Sequence, residues 1–451
     1  MDLIRDIKTR HHLRPVTSSY IPNTDDDRES MLRTLGITAP EVLFRDIPQK
    51  FRDPSLAIPP PLSELELLEE LQTLASRNLY RGKYATFLGA GAYNHFIPSV
   101  VRALANRGEF LTAYTPYQAE ASQGTLQTAY EFQSLVCQLL DMEVANSGMY
   151  DGASSFAEAA LMACRIKKCY RVAILTSVSP EYRNVLRTYV EPQGIEVEEV
   201  PPDISEVVGD VACLMAQTPN FYGYLEDLAR LKRVSHASGA LLVTSVDPIA
   251  MAMFKPPGAY GVDIVTGEGQ PLGVPVSYGG PYVGLFACKE EYLRQMPGRI
   301  AGRTVDEKGH TGYVLTLQTR EQHIRRERAT SNICTSQALV GLSVTIYLAC
   351  MGKTGLRQVA ELCYHKAHYA ASQIARIPGY SLPFEGTFFE EFVVQCPAPP
   401  AQINDFLLQR DIIGGLDIGD HVENGMLLCV TEVNTRDQID CLVQALSEVT
   451  V

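Results

Sequence analysis

The sequence lacks the features that mark membrane-spanning, nucleic-acid-binding and metal-binding proteins. No segment reaches the ~18 consecutive apolar residues that a membrane-spanning helix needs. Acidic residues outnumber basic ones by 52 to 39, and the net charge of -13 argues against nucleic acid or an anionic membrane as a partner. The 11 cysteines form no CxxC pair and the 9 histidines form no HxxxH or HxH pair, so the sequence predicts no metal site.

Targeting signals are also missing from the sequence. The N-terminal stretch contains no apolar core of a signal peptide, and it is too acidic after Thr24 for a transit peptide. Scattered cysteines in a chain of 451 residues are typical of reduced, mostly buried thiols in a cytosolic protein. We therefore expect a cytoplasmic location.

The first part of the chain, residues 1–65, is predicted to form an N-terminal arm. The segment TDDDRESMLRTLG has Thr24 or Asp25 as its N-cap, acids in its first turn and Gly36 at its end, so it predicts a short helix. The strongly periodic segment 62–78 predicts an amphipathic helix across the end of this arm.

Residues 66–330 are predicted to form a large α/β domain. Helical patterns alternate there with apolar runs of five or six residues, which are typical of a parallel sheet covered by helices on both faces. Residues 331–451 are predicted to form a bridging helix, which begins near Ser331, and a small α+β domain. That domain includes the predicted strands EFVVQC and MLLCVTE.

Two motifs of the large domain suit a pyridoxal-phosphate site, and each also has a simpler interpretation. The buried strand LLVTSV leads to Asp247, where an acid either caps the next turn or keeps the ring nitrogen of the cofactor protonated. Small residues lead into a helix that starts at Ser154 and Ser155, and free N–H groups at such a start favour a phosphate. An ordinary serine-capped helix would have the same sequence.

The segment DIVTGEGQPLGVPVSYGGPYVG, residues 263–284, has six glycines and no lysine. Pyridoxal-phosphate enzymes of the common fold hold their cofactor through a lysine that lies two or three dozen residues after the ring-nitrogen acid. Counting from Asp247 places that position near Gln270. The nearby Lys255 precedes the expected strand and Lys289 follows the next one. Either the lysine has been lost, or the segment is only a flexible crossover.

Two polar and aromatic segments are too particular for ordinary solvated loops. FLGAGAYNHFIPSV presents Tyr93 and Asn94 after a Gly-rich turn, and AYTPYQAEASQG includes Tyr117, Gln118 and Glu120. Polar groups in such loops commonly contact a ligand or a partner. A third segment, TLQTREQHIRRERATSNICTSQAL, is dense in arginine and forms either a charged face with ion pairs or a site for an anion or partner.

Four segments carry a family resemblance: GAGAYNHFIPSVV, YTPYQAEASQG, LQTREQHIRRERATSNICT and YIPNTDDDRESML. Together they resemble the glycine-cleavage P protein, glycine dehydrogenase (decarboxylating), and more narrowly the alpha chain of its two-chain form. The resemblance extends over essentially the whole chain. It implies a fold-type-I pyridoxal-phosphate scaffold and a reaction in which glycine loses carbon dioxide and its aminomethyl carbon passes to the lipoyl arm of the H protein.

The resemblance also implies that two chains divide the work. The beta chain keeps the lysine and binds pyridoxal phosphate, so we expect no cofactor attached covalently to this chain. Gln270 then lies at the position of the lost lysine, and Asp247, Ser154 and Ser155 belong to a degenerate site. The expected partners are the beta chain, in a complex of two alpha and two beta chains, the lipoyl H protein and glycine.

Residues of the alpha chain are expected to reach the active site of its partner across the boundary between the chains. The candidates are Tyr93, Asn94, Tyr117, Gln118 and Glu120. A further hypothesis is that Arg325 and Arg326 meet acidic surface of the H protein.

Two other interpretations remain. A self-sufficient pyridoxal-phosphate enzyme would use Lys255 or Lys289 and would be coloured in isolation. A non-catalytic scaffold or regulatory subunit would stabilise the cofactor-bearing partner without contributing active-site atoms. Alanine at Tyr93, Asn94 or Glu120 would then leave turnover intact once the complex has formed.

Overall fold

The structure, a computed structural model, describes residues 22–52, 54–55, 57–59 and 62–449. The chain divides into two compact units, residues 1–78 and 79–451. The helix predicted over 62–78 therefore belongs to the first unit, and the finer boundaries at 65 and 330 stay predictions.

Within the described residues, the first unit contains two α-helices, each started by a capping box. Helix α1 spans Asp25–Leu35, with Thr24 as its N-cap and with Gly36, at a φ of 67°, as its C-cap, as the sequence predicts. Helix α2 spans Glu64–Ala75, with Ser63 as its N-cap. Short 3-10 helices cover Pro40–Phe44 and Gln49–Phe51. None of these helices contains a buried residue.

The second unit alternates helices and strands along most of its length. Its α-helices are α3 (Ser99–Ala105), α4 (Gly108–Leu111), α5 (Gln123–Leu140), α6 (Gly152–Lys167), α7 (Pro180–Val190), α8 (Leu228–Ala237), α9 (Gln322–Arg325), α10 (Ala338–Ile374), α11 (Pro400–Leu408) and α12 (Arg436–Ser447). Its strands are β1 (Ala85–Thr86), β2 (Val144–Ala145), β3 (Arg171–Leu175), β4 (Glu196–Val200), β5 (Cys213–Thr218), β6 (Leu241–Val246), β7 (Ile264–Glu268), β8 (Gly284–Cys288), β9 (Ile300–Val305), β10 (Thr311–Thr316), β11 (Glu391–Gln395), β12 (Ile412–Ile413), β13 (Leu416–Asp417) and β14 (Gly425–Cys429).

The central sheet has seven strands in the order β2-β8-β7-β6-β5-β3-β4. Neighbouring strands from β4 to β7 pair in parallel, and β8 pairs antiparallel with both β7 and β2. Every residue of β6 and β8 is buried, because helices and loops cover both faces of the sheet. This confirms the predicted α/β fold with a mostly parallel sheet.

A smaller antiparallel sheet has the order β11-β14-β13, and the predicted strands EFVVQC and MLLCVTE supply β11 and β14. Helices α11 and α12 pack with it around a second hydrophobic core, which includes Phe392, Leu407 and Leu442. Strand β1 pairs in parallel with β12, so the segment before the Gly-rich turn lies beside this smaller sheet. The hairpin of β9 and β10 was not predicted from the sequence.

Helix α10 supplies side chains to both cores of the second unit. Val344 and Tyr347 lie in the core of the central sheet, and Ala370 and Ile374 lie in the second core. Among the described residues, this helix alone is long and apolar enough to cross a membrane by length and composition, a criterion that core helices also meet. Gly352 interrupts its regular geometry with a φ of 58° and a ψ of -177°.

Helix α10 begins at Ala338, so the predicted start near Ser331 is wrong. The Ser331 hydroxyl accepts a hydrogen bond from the N–H of Ile333, 3.1 Å away, which holds this polar segment in a turn. Short polar side chains compete in this way with the main-chain hydrogen bonds of a helix.

Candidate functional site

A cleft of about 710 Å3 opens at the carboxyl ends of the central parallel strands. Asp247 follows β6 and Glu268 ends β7 at its floor, while Tyr93 of the Gly-rich turn and the pair Glu390 and Glu391 form another wall. Ligands of open α/β sheets bind at this edge. The fold therefore places the cleft where the sequence predicts a cofactor site.

The cleft is acidic. The carboxyl side chains that line it are those of Asp151, Glu181, Asp247, Glu268, Glu390 and Glu391. No lysine, arginine or histidine is among the described residues that line it. The cleft therefore lacks the basic side chains that usually attract an anionic group.

The N-terminus of α6, where the sequence predicts a phosphate, is capped by carboxylates of the chain itself. Asp151 Oδ1 accepts a hydrogen bond of 2.7 Å from the N–H of Ser154. Glu268 Oε2 accepts one of 2.8 Å from the N–H of Gly152. The Ser155 hydroxyl donates to the main-chain oxygen of Asp151 at 2.7 Å. Side-chain oxygens thus replace the external anion that a free helix N-terminus attracts.

The space around Gly152 is closed as well. A Cβ atom added to Gly152 would lie 2.3 Å from the Tyr182 hydroxyl and 3.0 Å from the Cβ atom of Glu268. Burial, followed by the nearby Asp151 carboxylate, raises the pKa of Glu268 to about 8, although the N–H groups of Gly152 and Gln270 lower it. Burial raises the pKa of Tyr182 well above its ordinary value. Neutral groups therefore fill the position near the helix start at physiological pH.

Gln270, at the position expected for a lysine, is buried and ties two segments together. Its Oε1 accepts a 2.8 Å hydrogen bond from the N–H of Tyr93, and its Nε2 donates to the main-chain oxygens of Tyr93 at 2.9 Å and Val274 at 2.8 Å. The side-chain amide thereby satisfies both main-chain groups of Tyr93. A lysine ammonium could donate there, but it could not accept.

Glu391 holds the same Gly-rich turn from the other side. Its Oε1 accepts a 2.6 Å hydrogen bond from the N–H of Ala90, and its Oε2 accepts one of 2.8 Å from the Tyr93 hydroxyl. Burial raises the pKa of Glu391 to about 7, although these two hydrogen bonds lower it. The Tyr93 side chain is therefore fixed at the cleft wall. Asn94 follows it, and its main-chain oxygen accepts a 2.6 Å hydrogen bond from the Thr431 hydroxyl.

Asp247 acts as a local cap. Its Oδ1 accepts a 2.8 Å hydrogen bond from the N–H of Ala250, where a short 3-10 helix begins. Burial raises the pKa of Asp247 above its ordinary value, and the Ala250 hydrogen bond and the His95 side chain offset only part of this rise. The simpler of the two interpretations of this acid, a cap for the next turn, thus matches its hydrogen bonds.

Two lysines that a self-sufficient pyridoxal enzyme could use do not line the cleft. Lys289 Nζ forms a 2.5 Å ion pair with Asp263 Oδ1. Lys255 Nζ lies 4.3 Å from the centre of the Tyr260 ring. Neither amine is placed to reach a ligand in the cleft.

The polar loop that includes Tyr117, Gln118 and Glu120 does not line the cleft either. All three residues are exposed, and the Tyr117 ring lies 5.3 Å from the guanidinium of Arg299. The structure thus brings Tyr93, Asp247, Gln270 and the start of α6 together and leaves this loop on an outer surface. Arg325 and Arg326 are exposed too.

Three residues that shape the cleft were not identified from the sequence: Glu268, Tyr182 and Glu391. Glu268 stands between two glycines in TGEGQ, and Glu391 is one of two acids that open the buried strand EFVVQC. An acid inside an apolar or Gly-rich strand end is the signal that could have identified these two. Nothing in the sequence around Tyr182 distinguishes it from an ordinary helix residue.

The chain is similar in sequence to proteins of one enzyme family along nearly its whole length. A family model described as glycine cleavage system P-protein matches residues 18–446. A probable glycine dehydrogenase (decarboxylating) subunit 1 of Thermomicrobium roseum is 52% identical over 445 residues, which cover 96% of this chain and 99% of that protein. A protein of the same description from Desulfitobacterium hafniense is 49% identical over 444 residues, which cover 96% and 100%.

The fold is shared with solved structures of pyridoxal-phosphate enzymes. A crystal structure of glycine decarboxylase (P-protein) in inhibitor-bound form matches with a TM-score of 0.91 and 41% identity, over 95% of this chain and 99% of that one. A sphingosine-1-phosphate lyase from Burkholderia pseudomallei matches with a TM-score of 0.62 and 16% identity, over 89% and 94%, which shows the fold alone. These matches confirm the predicted fold-type-I scaffold.

Proposed function

The chain belongs to the glycine cleavage system P-protein family and acts as the alpha subunit of a glycine-decarboxylating enzyme; we propose that a partner beta chain carries the pyridoxal phosphate. In this proposal the partner supplies the covalent site, where the cofactor withdraws electrons as carbon dioxide leaves glycine. The alpha chain completes that site from its own surface. Two alpha and two beta chains form the proposed complex, in the cytoplasm.

The observation that carries the proposal is the poor fit of this cleft to pyridoxal phosphate. The amide of Gln270 stands near the position expected for the attaching lysine, and its oxygen is already used by the N–H of Tyr93. The N–H groups of Gly152 and Ser154, which would bind the phosphate, donate to Glu268 and Asp151. No basic side chain among the described cleft residues offsets the charge of a phosphate. No chemical step is therefore assigned to a cofactor on this chain.

The exposed loop of Tyr117, Gln118 and Glu120 is proposed to reach the active site of the beta chain. Its support is its exposure outside the cleft of its own chain. Tyr117 is 56% exposed and is braced from one side by Arg299, so its outer face is available to a partner. Tyr93 and Asn94 are proposed to act with this loop, held in place by the hydrogen bonds of Glu391 and Thr431. Glycine and the lipoyl arm are their proposed ligands.

The first unit is proposed to dock on the beta chain. Helix α2 exposes a row of leucines: Leu65, Leu67, Leu68, Leu71 and Leu74. Large exposed apolar surfaces mark interaction sites. The relatives are named subunit 1, which implies a second subunit that could cover this row.

The main test uses the isolated chain, incubated with pyridoxal phosphate, reduced with borohydride and weighed intact. We expect no mass gain on this chain, whereas the purified complex should gain one cofactor per beta chain. A stoichiometric gain on a lysine of the isolated alpha chain would overturn the proposal. The variant Gln270→Lys is the matched control. A mass gain in this variant would mean that the absence of a lysine, and not the capped helix start, prevents attachment of the cofactor.

A second test separates an active contribution from a scaffold. In the assembled complex, we expect Tyr117→Ala, Gln118→Ala and Glu120→Ala each to lower turnover while the complex elutes at its normal size. Unchanged turnover in all three variants would favour the interpretation as a non-catalytic scaffold, which the position of the loop outside the cleft also allows.

A third test concerns the H protein. Arg325→Gln combined with Arg326→Gln should raise the KM for H protein, and an unchanged KM would dismiss the proposed contact.

A further inference from the structure

Four donor side chains from distant segments meet in the second unit, behind the cleft. His95 follows the Gly-rich turn, Cys363 lies in α10, and Glu432 follows β14. One ligand atom of each of these three lies within 4.8 Å of the other two. The fourth, Glu390, precedes β11 and lies next to the ring of His95, with its Oε2 3.8 Å from His95 Nε2.

Glu432 fixes the orientation of His95. Its Oε2 lies 2.7 Å from His95 Nδ1, and its Oε1 accepts a 2.6 Å hydrogen bond from the N–H of Phe96. Nδ1 is thus the ring nitrogen that pairs with Glu432, and Nε2 is left facing Glu390.

At the other end of the ring, Nε2 has no hydrogen-bond partner. His95 Nε2 and both carboxyl oxygens of Glu390 are buried without a partner. The side chains of His95 and Glu390 are only 2% and 3% exposed. Buried polar atoms are nearly always satisfied in native proteins, because an unsatisfied one costs about 1–3 kcal/mol. An adjacent thiol, Cys363, donates to Glu432 Oε2 at 3.4 Å.

We propose that His95 Nε2, the Glu390 carboxylate and Cys363 Sγ bind a divalent transition-metal ion of the zinc class. Imidazole, carboxylate and thiolate are the ligands such ions take in proteins. Two ligands bound tetrahedrally to one zinc ion at roughly 2.0–2.1 Å each stand ~3.3 Å apart, so Nε2 and Glu390 Oε2, which are 3.8 Å apart, would move closer by about 0.5 Å on binding. Glu432 supplies the outer carboxylate that metal-binding histidines usually carry on their other nitrogen.

The ion would connect the elements that build the cleft wall. His95 is next to the loop of Tyr93 and Asn94, and Glu390 lines the cleft directly. Zinc binds the thiolate and carboxylate forms of its ligands, so the proton of the Cys363 thiol, and any proton on Glu390, leaves to solvent when the ion binds. Simple sequence spacing gives no sign of this site, because its donors lie at positions 95, 363 and 390.

The test measures zinc on the full-length chain and does not depend on catalysis. The chain is stripped with a chelator, equilibrated with zinc chloride and dialysed, and metal is counted by mass spectrometry. We expect about one zinc ion per chain, with affinity at least ~10-fold lower in Glu390→Gln and in Cys363→Ala. Cys213→Ala, which removes a buried thiol from β5, is the matched control and should bind zinc normally. Absence of bound zinc, or binding unchanged in both variants, would overturn the proposal.

Cobalt(II) gives a second measurement on the unaltered chain, so the result does not depend on whether the variants fold. A thiolate-to-cobalt absorption band in the near ultraviolet that zinc displaces is the expected result. If cobalt binds without this band, Cys363 is not a ligand and the proposed site is wrong. Either result leaves the function proposed above untouched, because neither measurement involves pyridoxal phosphate or glycine.

Discussion

The two units of this chain differ in how far their side chains are buried. Helix α2 of the first unit has 12 residues and none is buried, whereas helix α6 of the second unit has 16 residues and 11 are buried. Leu71 in α2 is 52% exposed, and Leu126 in α5 is fully buried. The second unit thus has its own core, while the apolar row of the first unit would be covered by a partner.

The largest expected effect lies in the core of the second unit. Leu126→Ala should lower the free energy of unfolding by about 2–5 kcal/mol, since it removes a fully buried side chain and leaves a cavity. Denaturant unfolding of the isolated chain would measure this. A loss below ~1 kcal/mol would mean that the core relaxes around the gap, and the contrast between the two units would weaken.

A smaller effect depends on pH and on Glu268. Its pKa is about 8 in the folded chain against an ordinary value of 4.5, so the folded state keeps a proton that the unfolded state releases between these values. Stability should therefore fall as pH rises from about 5 to 8, by on the order of 2–3 kcal/mol after screening by water in the cleft. Glu268→Gln should make this slope shallower, and Glu391, whose pKa is about 7, contributes to the slope that remains. Parallel pH profiles of the variant and the original chain would contradict the assignment.

The tie between Gln270 and the Gly-rich turn should come next in size. Gln270→Ala leaves the N–H and the main-chain oxygen of Tyr93 without their side-chain partner, at a cost of about 1–3 kcal/mol. Hydrogen exchange should be faster at the Tyr93 amide. Gln193→Ala, at an exposed glutamine bonded only to the main chain of its own turn, is the control and should change little.

The smallest effect on folding is expected in the first unit. Leu71→Ala should change the unfolding free energy of the isolated chain by less than ~0.5 kcal/mol, because the side chain is half exposed. The same variant should weaken binding to the beta chain, which titration of the two purified chains would measure. A large loss of stability in the isolated chain, with binding unchanged, would reverse the comparison between the units.

Local patterns were enough to predict most of the fold. Apolar runs predicted the mostly parallel sheet, and caps predicted both ends of α1, because these features depend on neighbours along the chain. The absence of a lysine from residues 263–284 was also visible, since an absence can be counted. The start of α10 could not be predicted. The helical pattern of the sequence continues back towards Ser331, but the hydrogen bond of the Ser331 hydroxyl holds that segment out of the helix.

The contents of the cleft depend on contacts between distant segments, and the sequence could not supply them. The hydrogen bond between Glu268 and Gly152 joins residues 116 positions apart in the sequence, and the one between Glu391 and Tyr93 joins residues 298 positions apart. No periodicity links such pairs. The site residues predicted from loops therefore separate into two groups in the structure: Tyr93 is in the cleft, and Tyr117 is outside it.

The carboxylates at the start of α6 have a consequence for how the subunit is made. An enzyme that binds its cofactor gains stability by mass action, so its folded population follows the cofactor concentration in the cell. Glu268 and Asp151 are attached to the chain, and their effective concentration at the helix start is fixed by the fold. If the cofactor binds only the beta chain, as proposed, this subunit reaches its native state whether cofactor is abundant or scarce, and it meets a partner whose own folding is tied to that supply.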